Sequence, residues 1–105
     1  MNWNVVWLES AEKDMLETAE YILSEFGEVT QQKFYRETFH TAELLGTNPN
    51  MGRIEPLLAN RATTYRSILV NGINKIVYAV KGNTVEISGF WNMRREPQKL
   101  ADSIK

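Results

Sequence analysis

The spacing of apolar residues changes once along this chain, and that change limits the folds open to it. From Met15 to Leu45 they recur three or four residues apart, whereas from Tyr65 to Trp91 they recur every second residue. The first pattern belongs to helices with one buried stripe and the second to half-buried strands. The helical part divides at Gly27. Before it, Met15, Ala19, Ile22, Leu23 and Phe26 share one face, with Ser10 as the expected N-cap and Glu12 and Asp14 in a first turn that favours negative charge. After it, Val29–Leu45 forms a second stripe through Phe34, Tyr35, Phe39, Ala42 and Leu45. Two helices joined by almost nothing must run antiparallel.

The turn formers Asn48-Pro49-Asn50-Met51-Gly52 close the helical half, and the stretch to about Ala62 reads as an irregular connection. Tyr65–Val70, Lys75–Val80 and Thr84–Trp91 read as strands separated by the tight turns Asn71-Gly72 and Gly82-Asn83. An aromatic and β-branched segment, Trp3–Leu8, reads as an N-terminal strand. Glu96–Ile104, opened by Pro97, is a candidate short C-terminal helix. The expectation is a single α+β domain over residues 1–105: N-terminal strand, antiparallel helical hairpin, then a three-stranded antiparallel meander, in the order β-α-α-β-β-β.

Alternation along the strands assigns Tyr65, Leu69, Ile76, Tyr78, Val80, Val85 and Ile87 to the face beneath the helices. Arg66, Ile68, Val70, Lys75, Val77, Glu86 and Ser88 fall on the other face. A two- or a four-residue loop at Asn71 would put Arg66 and Lys75 together on that second face, which is basic, half apolar and expected to be covered by a partner.

Composition narrows the chemistry. The chain has no cysteine and one histidine, His40, which excludes a disulfide scaffold, a thiolate zinc site, a cysteine nucleophile and a histidine-rich metal cluster. No cofactor or metal is expected. Its N-terminal apolar run, Val5–Leu8, is too short for a membrane span, so the expectation is a soluble cytoplasmic protein. The net charge of −1 conceals an asymmetry. Residues 1–60 carry four basic and ten acidic side chains, a balance of −6, and residues 61–105 carry eight basic and three acidic, a balance of +5. One face is therefore suited to an anionic partner.

The order of elements, together with Tyr65-Arg66-Ser67-Ile68, Lys75-Ile76-Val77-Tyr78-Ala79-Val80 and Trp91-Asn92-Met93-Arg94-Arg95-Glu96-Pro97, resembles the RelE/ParE toxin superfamily of bacterial type II toxin–antitoxin systems. The Asn48–Gly52 turn and Tyr21–Gly27 at the end of the first helix fit the same family, and the resemblance covers nearly the whole chain. It implies a toxin neutralised by a cognate antitoxin, with operator DNA contacted only through that antitoxin and no role for a membrane. It also implies one of two activities. RelE-like members are endoribonucleases that cleave mRNA on the ribosome, and ParE-like members inhibit DNA gyrase without a catalytic step. A third possibility is a degenerate binding module without toxicity.

By this resemblance Arg66, Lys75 and Arg94 are the candidate catalytic residues if the chain is RelE-like, since guanidinium and ammonium groups stabilise a charged phosphorane. Arg66, Ile68, Lys75, Val77, Trp91, Arg94 and Arg95 are the candidates for contact with target or antitoxin. Two departures weigh against a nuclease. Ile68 stands where such enzymes often carry a lysine, and Leu100 where they often carry a C-terminal tyrosine. The remaining titratable candidates are Glu86, read as a cross-strand charge partner of Arg66 or Lys75, and Tyr78, read as packing. A pI of 5.8 is low for binding RNA on a ribosome. The reading therefore leans to a ParE-like gyrase inhibitor. His40 reads as a helix-surface residue. Trp3, Trp7, Phe34 and Phe39 read as core or antitoxin-docking surface, and Trp91 as an anchor for the terminal segment.

Overall fold

A computed structural model describes residues 2–104. The chain opens with strand β1 (Asn4–Trp7), then helices α1 (Glu9–Phe26) and α2 (Glu28–Leu45). A two-residue strand β2 (Arg53–Ile54) and a single 3-10 turn (Pro56–Leu58) follow. Strands β3 (Tyr65–Val70), β4 (Asn74–Lys81) and β5 (Thr84–Asn92) lead to a short helix α3 (Pro97–Asp102). The expected α+β order holds, and the meander is the centre of a five-stranded sheet ordered β1-β5-β4-β3-β2. β1 lies parallel to β5 at one edge, while the other neighbours are antiparallel.

Pairing with β5 sets where α1 begins. The Leu8 N–H donates to the Ile87 carbonyl at 2.9 Å, and the chain turns into the helix at once, with Leu8 rather than Ser10 at the cap and no side chain capping it. Ser10 lies inside the first turn. Gly27 ends α1 as expected: its φ of 91° is a conformation that suits glycine, and its N–H donates to the Leu23 carbonyl. Ala11, Met15 and Ala19 of α1 and Phe34, Ala42 and Leu45 of α2 are buried against the sheet. Phe26, Leu23 and Phe39, expected in the stripe, are 64%, 45% and 47% exposed.

The β3–β4 connection corrects the expected faces. Val70 pairs with Asn74, so the loop holds three residues, Asn71, Gly72 and Ile73, rather than two or four. Asn71 and Gly72 both have positive φ, at 47° and 84°. An odd loop inverts the parity of β3 relative to β4. Arg66, Ile68 and Val70 therefore lie on the helix side, in register with Tyr78, Ile76 and Asn74, while Ser67 and Leu69 lie opposite with Val77 and Lys75. Arg66 and Lys75 are on opposite faces. Tyr65 and Leu69, expected beneath the helices, are on the far side. A second parity change occurs in β5, where the register moves from Val77–Gly89 to Tyr78–Ile87 and Ser88 is left as a bulge. Phe90 thereby enters the helix-side core, and Trp91 turns to the far face beside Lys75.

That far face has a cover of its own. Leu100, Ala101 and Ile104, on and just after α3, pack with Leu58 over Val77 and Trp91, and half-buried Tyr65 closes the side. The Arg61 guanidinium secures the end of α3 by donating to the Ala101 carbonyl at 3.0 Å and to that of Ile104. A cation on the carbonyls at a helix C-terminus is favourable. The sheet is thus covered by the hairpin on one face and by α3 with the 3-10 turn on the other.

Candidate functional site

Two polar clusters flank the sheet. On the far face, Lys75 and Glu55 form an ion pair whose side chains are 9% and 0% exposed. Glu55 also accepts from Ser67 Oγ at 2.9 Å and from the Leu57 N–H at 2.8 Å, the latter capping the 3-10 turn. Lys75 Nζ stands 5.6 Å from the centre of the Trp91 ring, within range of a cation–π contact. Burial alone would raise the Glu55 carboxyl, but the donors Lys75, Leu57 N–H and Ser67 outweigh it and hold it below its ordinary 4.5. Glu55 was not singled out in the sequence, where it lies in the irregular connection. One signal existed: it is the only carboxylate between Glu43 and Glu86, which makes it, after Glu86, the acid nearest Lys75 along the chain.

On the helix side, the Tyr78 hydroxyl donates to the Pro49 carbonyl at 2.7 Å and accepts from the Gly52 N–H at 3.0 Å. Arg66 donates to the Gly52 carbonyl at 2.8 Å. These bonds hold the Asn48–Gly52 turn on the sheet. A side chain on Gly52 would meet Tyr78 Oη at 2.7 Å and the Ser67 carbonyl at 2.8 Å, so the close approach requires glycine. Burial pushes the Tyr78 phenol above its ordinary 10.0, against the Gly52 N–H and the Arg66 charge, which pull it down. Tyr78 is packing, as expected, with its hydroxyl fully used.

Replacing Tyr78 by Phe strands a buried carbonyl and a buried N–H, and should cost about 1–3 kcal/mol in urea unfolding at pH 7. A raised phenol stabilises the fold fully below the unfolded value near 10 and loses that contribution as pH climbs through the folded value. The gap between wild type and Tyr78→Phe should therefore narrow above pH 10. A gap that stays constant into alkali would contradict this account.

The other candidates are spread apart. Arg94 and Arg95 are exposed in the turn after β5, where the Arg94 N–H donates to Asn92 Oδ1 at 2.8 Å. Arg95 lines a cleft of about 260 Å³ with Asp14, Glu17 and Tyr21 of α1. Burial raises the Asp14 carboxyl there, and Arg95 opposes that shift. Ile68 packs partly against the helix-side core, and Val77 and Trp91 are buried on the far face beneath α3. Glu86 pairs with Lys81 at 3.4 Å instead of with Arg66 or Lys75. His40 is exposed on α2.

Two further grooves border the sheet. One, of about 420 Å³, lies on the far face between Met51, Arg53, Leu69 and Met93 with Lys75 at its floor. The other, of about 450 Å³, separates the tip of the helical hairpin from the β3–β4 turn. No described helix is long and apolar enough to cross a membrane.

A family model described as the ParE toxin of type II toxin-antitoxin system, parDE, matches residues 5–97. Among solved structures, the chain is similar to one described as the chromosomal ParDE TA system from P. aeruginosa, with a TM-score of 0.71 and 15% identity. That match covers 88% of this chain and 97% of the other. No curated protein sequence matches significantly.

Proposed function

This chain belongs to the ParE toxin family and is a toxin component of a type II toxin–antitoxin system, and from that premise we propose that it acts in the cytoplasm as a non-catalytic inhibitor of DNA gyrase, held silent by a cognate antitoxin. The observation that supports the non-catalytic reading is the dispersal of its basic residues. Metal-free RNA cleavage requires groups that converge on one phosphate, to take a proton, stabilise the phosphorane and protonate the leaving oxygen. Here Arg66 is committed to the Gly52 carbonyl on one face of the sheet. Lys75 is buried on the other face and neutralised by Glu55. Arg94 lies beyond the end of β5. Inhibition by binding needs only a surface, and exposed Arg53, Arg94 and Arg95 beside apolar Met51, Leu69 and Met93 supply one.

Induction of the chain alone in a bacterial host, with pulse labelling of DNA and protein synthesis, tests the proposal. DNA synthesis is expected to fall first, and co-expression of the neighbouring antitoxin gene should restore growth. Early loss of protein synthesis with cleaved mRNA would replace the proposal by the ribosome-dependent nuclease. An absence of any arrest would mark a degenerate binding module.

A further inference from the structure

We propose that the outward face of α2 is the contact through which two copies of this chain form a dimer. The two helices pack antiparallel about a two-fold axis that passes between residues 39 and 40, and Arg36 of each copy pairs with Glu43 of the other. The contact is independent of the gyrase reading above and holds or fails without it.

Arg36, Phe39, His40 and Glu43 follow the spacing i, i+3, i+4, i+7 and so share one side of α2, away from the buried Phe34, Thr38, Ala42 and Leu45. All four are exposed, and they line a shallow hollow of about 530 Å³. Phe39 is half exposed and yet fixed. It stacks on Tyr35 at 5.8 Å and meets the Trp7 ring edge to face at 6.2 Å. Trp7 and Phe34 both touch Phe90, and Phe34 touches Tyr35, so five aromatic rings close a circuit with Phe39 at its outer edge. A large apolar side chain already held in one position loses little freedom when a partner covers it, which suits it to anchor an interface.

The charges beside Phe39 have no answer on their own helix. Three and four residues from Arg36 stand Gln32, Lys33, Phe39 and His40, none of them an acid. Three and four residues from Glu43 stand Phe39, His40, Gly46 and Thr47, with neither Lys nor Arg among them. Arg36 and Glu43 are separated by about 10.5 Å along the helix axis and cannot reach each other. Neither joins an ion pair among the described residues. Glu37 borders the hollow too, but it has Lys33 one turn away on the same helix.

A partner of one sign satisfies only half of this pattern: an acidic segment attracts Arg36 and is repelled by Glu43, and a basic one does the reverse. The same helix turned end for end satisfies both. In an antiparallel pair, setting Arg36 level with Glu43 of the second copy also sets Glu43 level with the second Arg36, and brings the two Phe39 rings together near the axis. One helix face per copy buries less than the roughly 1,600 Å² of a standard interface, so the dimer is expected to dissociate in the micromolar range. Arg53, Met51 and Leu69, on the far side of the sheet, stay open in both copies.

Sedimentation equilibrium of the purified full chain, at low and physiological salt and from about 1 to 500 μM, tests the contact over the range that such an area implies. Wild type is expected to pass from monomer to dimer. Arg36→Glu alone, or Glu43→Arg alone, sets like charges against each other at both ends of the contact, and should weaken association at least about tenfold, less so as salt rises. An equimolar mixture of the two single variants pairs unlike charges at both ends, and should associate to within about threefold of wild type. The double variant Arg36→Glu/Glu43→Arg should do the same alone. Recovery on mixing also shows that the single variants are folded. A wild type that stays monomeric throughout, a dimer that the single reversals leave intact, or a mixture that stays monomeric would each overturn the assignment. A monomeric wild type whose single reversals instead weaken binding of the antitoxin encoded beside it would give this face to the antitoxin.

Discussion

Replacing Lys75 by Met should cost this domain about 3–5 kcal/mol, because it leaves the Glu55 carboxylate buried without its counter-charge. That is a large share of the ~5–15 kcal/mol that a domain of this size holds. Ser67 and the Leu57 N–H still bond to Glu55, but two neutral donors do not replace an ammonium group. The paired variant Lys75→Met/Glu55→Gln should recover much of the loss, since a neutral amide can be buried without a counter-charge. Urea unfolding of the single and double variants at pH 7 reads the difference directly.

The same pair makes an acid-sensitive element. A carboxyl held below its ordinary 4.5 contributes stability that is present above that value and lost as pH falls through the folded value. Wild type should therefore weaken below pH 4.5 along a branch that the double variant lacks. A single Lys75→Met variant that loses less than about 1 kcal/mol would mean that the pair is solvated and screened in solution. Lys75 would then be free to meet a phosphate.

Trp91→Ala should cost a similar amount, about 3–5 kcal/mol, by opening a cavity under α3. Trp91 is 2% exposed and forms the centre of the far-face cluster with Val77, Leu58, Leu100 and Ile104. Its indole Nε1 is buried without a partner, so Trp91→Phe removes no hydrogen bond and should be much milder. The ring would still lie over Lys75. Near-UV circular dichroism and urea midpoints separate the two variants. Deleting the chain after Arg95, which removes the cover instead of the ring, should destabilise in the same direction. If Trp91→Ala keeps its stability and loses growth inhibition, Trp91 is a contact for the target and not the anchor of α3.

Much of the scaffold was legible because local chemistry dictates it. The helical stripes around Met15, Ala19, Phe34 and Ala42 and the stop at Gly27 read directly, as did the turns at Asn71-Gly72 and Gly82-Asn83. The candidate site was harder to read, because it depends on counting residues where no local rule fixes the count. Asn-Gly marks a turn without saying whether Ile73 belongs to the loop or to the strand. That one residue decides whether Arg66 and Lys75 share a face. The bulge at Ser88 is marked only by Gly89 beside it and by the break in alternation from Ile87 to Phe90, yet it sends Trp91 to the far side. The partner of Lys75 was missed for a related reason. Glu55 sits twenty residues away in a segment without periodicity, and only the pairing of Arg53 with Ser67 brings it under β3.

By itself, then, the order and spacing of side chains determined the architecture and the family, because helix periodicity, strand alternation and turn chemistry act between neighbours in the chain. The tertiary structure alone decided which cations remain free. Strand parity, the bulge and the folding back of α3 are set by packing between distant segments, and these bury Lys75, engage Arg66 and leave Lys33, Arg53 and Arg94 exposed and without a carboxylate partner among the described residues.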